Sequence, residues 1–264
     1  MRFLLIAVLL SLAPTIALAE AVPEGVAVNY YHQETQLEGY LVEPEGAIAA
    51  TPVVLLTPAW KGLTLNYKNK ADEIARETGY VVMAIDIYGK GIRPRNNEEA
   101  AKLSGAYKSN PELFRGRMKA AVDYITRRRN IENSQVAVIG FCFGGAGALE
   151  LARTGTDVAG VVSFHGNLKS AVPAQVGAVK TKVLVLHGAA DPLVTPEELQ
   201  GFKQEMQTAE VKDWQLVEYG NAVHSFTDKN AGTDPSTGVA YDPVVAKRAF
   251  AEMHRFLAEV FAQK

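Results

Sequence analysis

A single cysteine, Cys142, stands among the 264 residues, so no intrachain disulfide framework can form. No cluster of cysteines and histidines has the spacing of a structural zinc site. Charge of one sign is also scarce: 27 Lys and Arg against 29 Asp and Glu leave a formal net charge of -2. Such a chain lacks the broad positive field that a phosphate-backbone binder needs, which argues against nucleic acid as a partner. No apolar stretch is long enough to cross a bilayer, and neither an internal repeat nor a low-complexity linker interrupts the chain.

The apolar run near the N-terminus reads as an address. Arg2 precedes the run Phe3 to Leu10, Ser11 and Pro14 break it, and Ala17-Leu18-Ala19 has the small-x-small form that precedes a signal-peptidase cut. Cleavage after Ala19 is expected, leaving residues 20–264 as one exported domain without a membrane anchor. No cysteine follows the cut to take a lipid, so a bacterial periplasm is the expected compartment. A lone thiol in an oxidising compartment is lost to oxidation unless it is sheltered or has a job.

With 48% hydrophobic and 21% charged residues, the chain can bury one large core. Val26 to His32 and Leu37 to Glu43 form an antiparallel lead-in. Pro52 to Thr57 is a continuous apolar run suited to a strand covered on both faces. A helix around Lys68 to Glu77, closed by Gly79, leads to a second buried run, Tyr80 to Ile85. Downstream come helix Glu112 to Arg129, strand Gln135 to Ile139, a helix from Phe143 to Ala152, and strands Val158 to Phe164 and Lys182 to His187. A capping box of Thr195 and Glu198, with Pro196 at the first position, opens the next helix. Strand Trp214 to Tyr219, a long loop from Asn230 to Tyr241 and a helix opened by Asp242-Pro243 complete the chain. On that last helix Val245, Ala249, Met253, Phe256, Leu257, Val260 and Phe261 make a core-facing stripe. Strand and helix alternate throughout, which predicts an α/β fold: a mostly parallel, doubly wound sheet with an antiparallel N-terminal lead-in.

The chemistry concentrates at one turn. After strand Gln135 to Ile139 the chain reads Gly140-Phe141-Cys142-Phe143-Gly144-Gly145. A strand that reverses sharply into a helix strains the backbone of its middle residue, and glycines on either side let the neighbouring backbones pass. Cys142 stands at the apex, at a helix N-terminus whose free N–H groups and dipole favour a thiolate and can hold an oxyanion. The bland alternative is a small buried hydrophobe ahead of a packed helix. A nucleophile on such an elbow needs a base and a group that orients it, in the chain order nucleophile, acid, histidine. Asp191 lies in the loop after strand Lys182 to His187, and His224 just past strand Trp214 to Tyr219. The expected roles are Cys142 as attacking thiolate, His224 as general base and then acid, and Asp191 as the acceptor that fixes the His224 tautomer. His32, His187 and His254 are expected to be structural or on the surface. His165, at the end of a strand, is in a position to line the pocket and touch substrate.

The turn Gly140 to Gly145, the loop Leu186 to Pro192, Val223-His224-Ser225-Phe226 and Ala84 to Gly89 together resemble the dienelactone hydrolase family. The likeness covers about Gln36 to Ala262. It implies an α/β-hydrolase fold, hydrolysis of small carboxylic esters and lactones, and no cofactor or metal. The family's catalytic Cys, Asp and His map onto Cys142, Asp191 and His224. By the same resemblance, the amides of Phe143 and Trp60 form the oxyanion hole, and the Trp60 indole walls the substrate pocket. Ala59 stands where the type enzyme has an activating glutamate. Asp228 and Lys90 stand where that enzyme holds a substrate carboxylate with arginines, so Lys90 is the substrate-facing cation expected here and a carboxylate-bearing lactone is not the expected substrate. Two other readings of the same residues are a binding or thiol redox-sensing protein without catalysis, and an acyltransferase. A monomer acting on a small molecule is expected.

Overall fold

Short apolar runs separated by helical stretches assemble into one eight-stranded sheet. The computed structural model describes residues 24–262; the expected signal segment and the expected cut after Ala19 lie outside the described residues. The strands are β1 (Val26–His32), β2 (Thr35–Val42), β3 (Val53–Thr57), β4 (Val81–Ala84), β5 (Val136–Phe141), β6 (Gly160–Phe164), β7 (Lys182–Gly188) and β8 (Trp214–Tyr219). Their order across the sheet is β1-β2-β4-β3-β5-β6-β7-β8. β1 pairs with β2, and β2 with β4, in antiparallel fashion, and every other neighbouring pair is parallel. The lead-in and the parallel body therefore both lie where the sequence predicts.

The six α-helices among the described residues are α1 (Leu65–Thr78), α2 (Asn97–Lys108), α3 (Pro111–Arg129), α4 (Phe143–Arg153), α5 (Pro196–Thr208) and α6 (Pro243–Ala262). β3 and β5 are buried at every position because helices cover both faces of the sheet. Tyr67, Ala71 and Ile74 of α1 and the Val245 to Val260 stripe of α6 pack on one face, and α3, α4 and α5 pack on the other. Phe261, expected in that stripe, lies partly exposed and packs edge-on against Tyr80 at 5.1 Å. No helix among the described residues is long and apolar enough to cross a membrane.

Two local features depart from the sequence reading. The stretch between Ile85 and Glu112 holds a further helix, α2. Its buried face is only Ala100, Ser104 and Tyr107, too small and polar to print a hydrophobic period. At α5 the capping box is half formed. Thr195 Oγ1 accepts the Glu198 N–H at 3.2 Å, but the Glu198 carboxylate turns away to accept the N–H groups of Leu168 and Lys169 at 2.6 and 3.0 Å.

The registers Phe141 to Phe164, Phe164 to Leu186 and Gly188 to Tyr219 bring the carboxyl ends of β5 to β8 to one rim of the sheet. In open parallel sheets ligands bind at that rim.

Candidate active site

β5 ends at Phe141 and α4 begins at Phe143, so the whole reversal falls on Cys142, at φ 53 and ψ -116. A non-glycine residue takes that conformation only where its surroundings impose it. Here the Cys142 N–H donates to Phe164 O at 2.9 Å, and the Ala146 N–H donates to Cys142 O at 3.2 Å. The flanking glycines leave no room for a side chain. A Cβ on Gly140 would lie 2.0 Å from Gly144 O, and one on Gly144 would lie 2.2 Å from Thr57 O.

The acid and the histidine are brought together by a second close approach. A Cβ on Gly188 would lie 2.5 Å from Ala222 O, and the Ala190 N–H donates to that same carbonyl at 3.0 Å. The loop after β7 thereby rests on the loop after β8. The long loop from Asn230 to Tyr241 fixes the histidine backbone: the His224 N–H donates to Gly238 O at 3.1 Å, and the Ala240 N–H donates to His224 O at 3.0 Å.

The side chains then form a chain of contacts. Cys142 Sγ lies 3.0 Å from His224 Nε2, and His224 Nδ1 lies 2.8 Å from Asp191 Oδ2. The other carboxylate oxygen, Asp191 Oδ1, accepts the Leu193 N–H at 2.8 Å. Asp191 and His224 are buried, and Cys142 is half-buried. Burial works against a charged ring, but the hydrogen bonds to Asp191 and Cys142 and the charges of those two groups overcome it and push His224 up to about 10.

Cys142 and His224 open into a cavity of about 510 Å³ walled by Trp60, Tyr67 and Phe143. That volume suits a small organic molecule. Phe143 is the first residue of α4, so its N–H has no partner within the helix. Its ring stacks on Phe114 at 4.6 Å and on Tyr88 at 5.6 Å. The Tyr88 hydroxyl donates to Trp60 O at 2.7 Å, which fixes the Trp60 peptide beside the same cavity.

This constellation on this sheet has relatives. The model of the dienelactone hydrolase family matches residues 37–261. The chain belongs to the dienelactone hydrolase family. Its fold is accordingly the α/β-hydrolase fold, and it is a hydrolase of the ester and lactone class. It is similar to a solved dienelactone hydrolase-like promiscuous phosphotriesterase from metagenomic libraries, with TM-score 0.80, 35% identity, and coverage of 89% of this chain and 98% of that one. A Bradyrhizobium protein named as a candidate 2-oxo-3-(5-oxofuran-2-ylidene)propanoate lactonase is 27% identical over 240 residues, 86% of this chain and 92% of the relative. A Synechocystis protein named as a candidate carboxymethylenebutenolidase is 30% identical over 146 residues, 53% of this chain and 57% of the relative.

Within this family frame, Lys90 does not reach the cavity, contrary to expectation. Its Nζ lies 3.0 Å from Asn29 Oδ1 and 3.2 Å from Glu38 Oε2 on the outer hairpin. The cause is the turn around it: Gly89 and Gly91 take φ 134 and 77, and the Lys90 N–H donates to Gln36 O at 2.9 Å. Its neighbours are likewise engaged, Arg93 with Leu63 O at 3.0 Å and Arg95 with Glu99 at 2.6 Å. Trp60 and His165 do line the cavity, as do Ala59 and Asp228. His165 is only 2% exposed, however, and presents almost no surface to a substrate.

Four polar contributors, Tyr67, Ser104, Lys108 and Asn167, escaped the sequence reading. Tyr67 of α1 is a buried phenol on the cavity wall, and burial, the charge of Cys142 and that of Asp228 all push its ionisation upward, so it stays a proton donor. Ser104 and Lys108 come from the unforeseen α2. Asn96, whose side chain accepts the Glu99 N–H at 2.9 Å, was the signal for that helix. Nothing in the spacing of Tyr67 marks it.

Proposed function

We propose that the protein hydrolyses small esters and lactones through a thioester on Cys142. The observation that carries this reading is the unbroken line from Asp191 through His224 to Cys142 Sγ at the floor of the cavity. With the proton resident on His224, the sulfur attacks the carbonyl carbon as thiolate. The tetrahedral oxyanion turns to the Phe143 and Trp60 N–H groups, each worth about 3 kcal/mol to the rate. His224 then protonates the leaving oxygen. In the second half, His224, neutral after that transfer, takes a proton from water, which attacks the thioester and frees the acid. Asp191 holds the ring so that Nε2 faces the sulfur throughout.

Asp228 and Lys108 on the cavity wall offset each other, and no arginine among the described lining residues adds a net positive charge to hold an anionic acyl group. Uncharged esters and lactones are therefore the favoured class. Turnover of a neutral nitrophenyl ester is expected to fall by about 10³-fold or more in Cys142→Ala and in His224→Ala. Intact-mass analysis of the wild-type chain after brief exposure to ester should show an acyl adduct on Cys142. Undiminished turnover in both variants would reject the mechanism. A stable fold with no turnover of any ester or lactone would favour the binding or redox-sensing reading, and transfer of the acyl group to an added alcohol in place of free acid would favour the acyltransferase. The proposed place of action is beyond the cytoplasmic membrane of a bacterium. N-terminal sequencing of protein recovered from a periplasmic fraction is expected to begin at Glu20, and an intact Met1 on cytoplasmic protein would reject export.

A further inference from the structure

His165 sits on the cavity wall without a part in that chemistry. It follows β6 at φ 39, the left-handed region, held there by its N–H donating to Leu186 O at 2.9 Å. Its ring stands edge-on to His224, with centroids 5.3 Å apart at 67°, and edge-on to Phe226 at 5.0 Å and 84°. Its Nε2 is 2.8 Å from Thr227 Oγ1 in a buried hydrogen bond, and its Nδ1 has no protein partner among the described residues. Thr227 lies three residues past His224, with Ser225 between them at φ 60. The segment that carries His224 is therefore tied at its backbone by Ala190, Gly238 and Ala240 and by the Asp242 N–H on Phe226 O at 3.1 Å, and its one side-chain tie beyond the turn among the described residues is His165 on Thr227.

We propose that His165 is a positioning residue for His224: by binding Thr227 and packing edge-on against the neighbouring imidazole, it fixes the ring orientation that spans Cys142 and Asp191. The assignment rests on the reading of that pair as the reactive one. Reactive geometry tolerates errors of only about half an ångström, so a loop that turns directly after His224 through Ser225 at positive φ needs such a tie. An imidazole suits the place because it stays uncharged. Burial first, then the positive charges of His224 and Lys70, hold His165 well below the ordinary histidine range, so it adds no second cation beside His224.

The test uses the full chain and two readouts. The first is the pH dependence of Cys142 alkylation by iodoacetamide, which needs no substrate, and the second is ester turnover. Thr227→Val removes the hydrogen bond from one side, His165→Phe removes it from the other while keeping a flat ring, and His165→Gln offers Thr227 a replacement amide. The other titratable groups facing Cys142, His224 and His165 are Asp191, Tyr67 and Lys70 of α1, Tyr88, Lys108 of α2, His187 of β7 and Asp228, and all are left intact. Loosening His224 weakens the imidazolium that supports the thiolate. The alkylation midpoint is therefore expected to rise by about one pH unit in Thr227→Val and His165→Phe, with kcat down about tenfold and KM within about twofold. The double variant is expected to be no worse than either single one, because both delete the same bond, and His165→Gln should recover part of the loss. Should His165→Phe fail to fold, Thr227→Val carries the measurement alone. An unmoved midpoint and full kcat in folded Thr227→Val, or losses that multiply in the double variant, would overturn the proposal. A shifted midpoint in a chain that hydrolyses no ester would sink the hydrolytic mechanism and leave the positioning role standing.

Discussion

Burial alone would strip the proton from His224, but its two hydrogen-bond partners reverse that preference and push the ring up to about 10. The sign of the resulting pH dependence follows. A group raised above its ordinary value of 6.5 keeps its proton up to the raised value and loses it as pH climbs through about 10. kcat/KM reports the free enzyme, so for a neutral ester, with the base-catalysed blank subtracted, its alkaline limb is expected near 10. A limb centred near 7 would mean that the ring is neutral in the resting site. How far these residues could be read in the sequence depends on whether their chemistry leaves a mark on spacing. Gly140 and Gly144 flank Cys142 because any Cβ there strikes backbone, and that exclusion is visible as a pattern of glycines. Asp191 and His224 are marked by their place after successive strands. Tyr67 and Thr227 leave no such trace, since a tyrosine on a helix and a threonine in a loop occur in any protein. Lys90 carried the right charge, yet two glycines turn it onto the outer hairpin.

At the level of elements, what the sequence shows is hydrophobic period, and what it hides is any element held by other means. β3 and β5 are unbroken apolar runs and could be placed from the sequence within two residues. α2 buries two small side chains and one tyrosine, so only its cap betrays it. The capping box at α5 failed for a related reason. A box is a local pattern, whereas Glu198 is claimed by a segment about thirty positions earlier, where two N–H groups at 2.6 and 3.0 Å outbid the single one at its own helix start. That exchange gives Glu198 a use beyond its helix, since it clips the loop after β6 onto α5. Glu198→Ala leaves the Leu168 and Lys169 N–H groups without their acceptor, and is expected to lower unfolding free energy by about 1 to 3 kcal/mol. Urea denaturation checks it, with Thr195→Ala as the reference for a simple cap loss of about 1 kcal/mol. Were Glu198→Ala no worse than Thr195→Ala, the clip would contribute nothing beyond capping.

Across the whole molecule, the sheet brings together chemistry that is far apart in the chain, while the helices on one face are joined by charge. Arg115 of α3 meets Glu150 of α4 at 2.7 Å, and Arg153 of α4 meets Glu150 at 3.2 Å and Glu205 of α5 at 2.8 Å. Arg153 also donates to Leu168 O at 2.6 Å, and Glu205 accepts the Ala174 N–H at 2.8 Å, so the same network seats the loop after β6. The side chains of Arg153 and Glu150 are 2% and 7% exposed, which makes this a buried network whose members depend on one another. Burial raises Glu205, but the hydrogen bond and charge of Arg153 outweigh it and leave the carboxyl below its ordinary value of 4.5. A carboxyl lowered in the folded state stabilises the fold above its unfolded value, and that stabilisation is lost as pH falls through the folded one. Arg153→Met removes the shared partner and leaves two largely buried carboxylates, with Arg115 paired to Glu150 and only its longer-range charge left for Glu205. It is expected to cost about 3 to 5 kcal/mol at pH 7. The deficit should shrink as pH drops below 4.5, because in the variant Glu205 takes up a proton more readily and the wild type is by then losing the advantage of that lowered carboxyl. Urea denaturation of the two chains at pH 7 and pH 4 measures both values, and a deficit that stayed constant between them would assign the loss to packing of the arginine stem rather than to its charge.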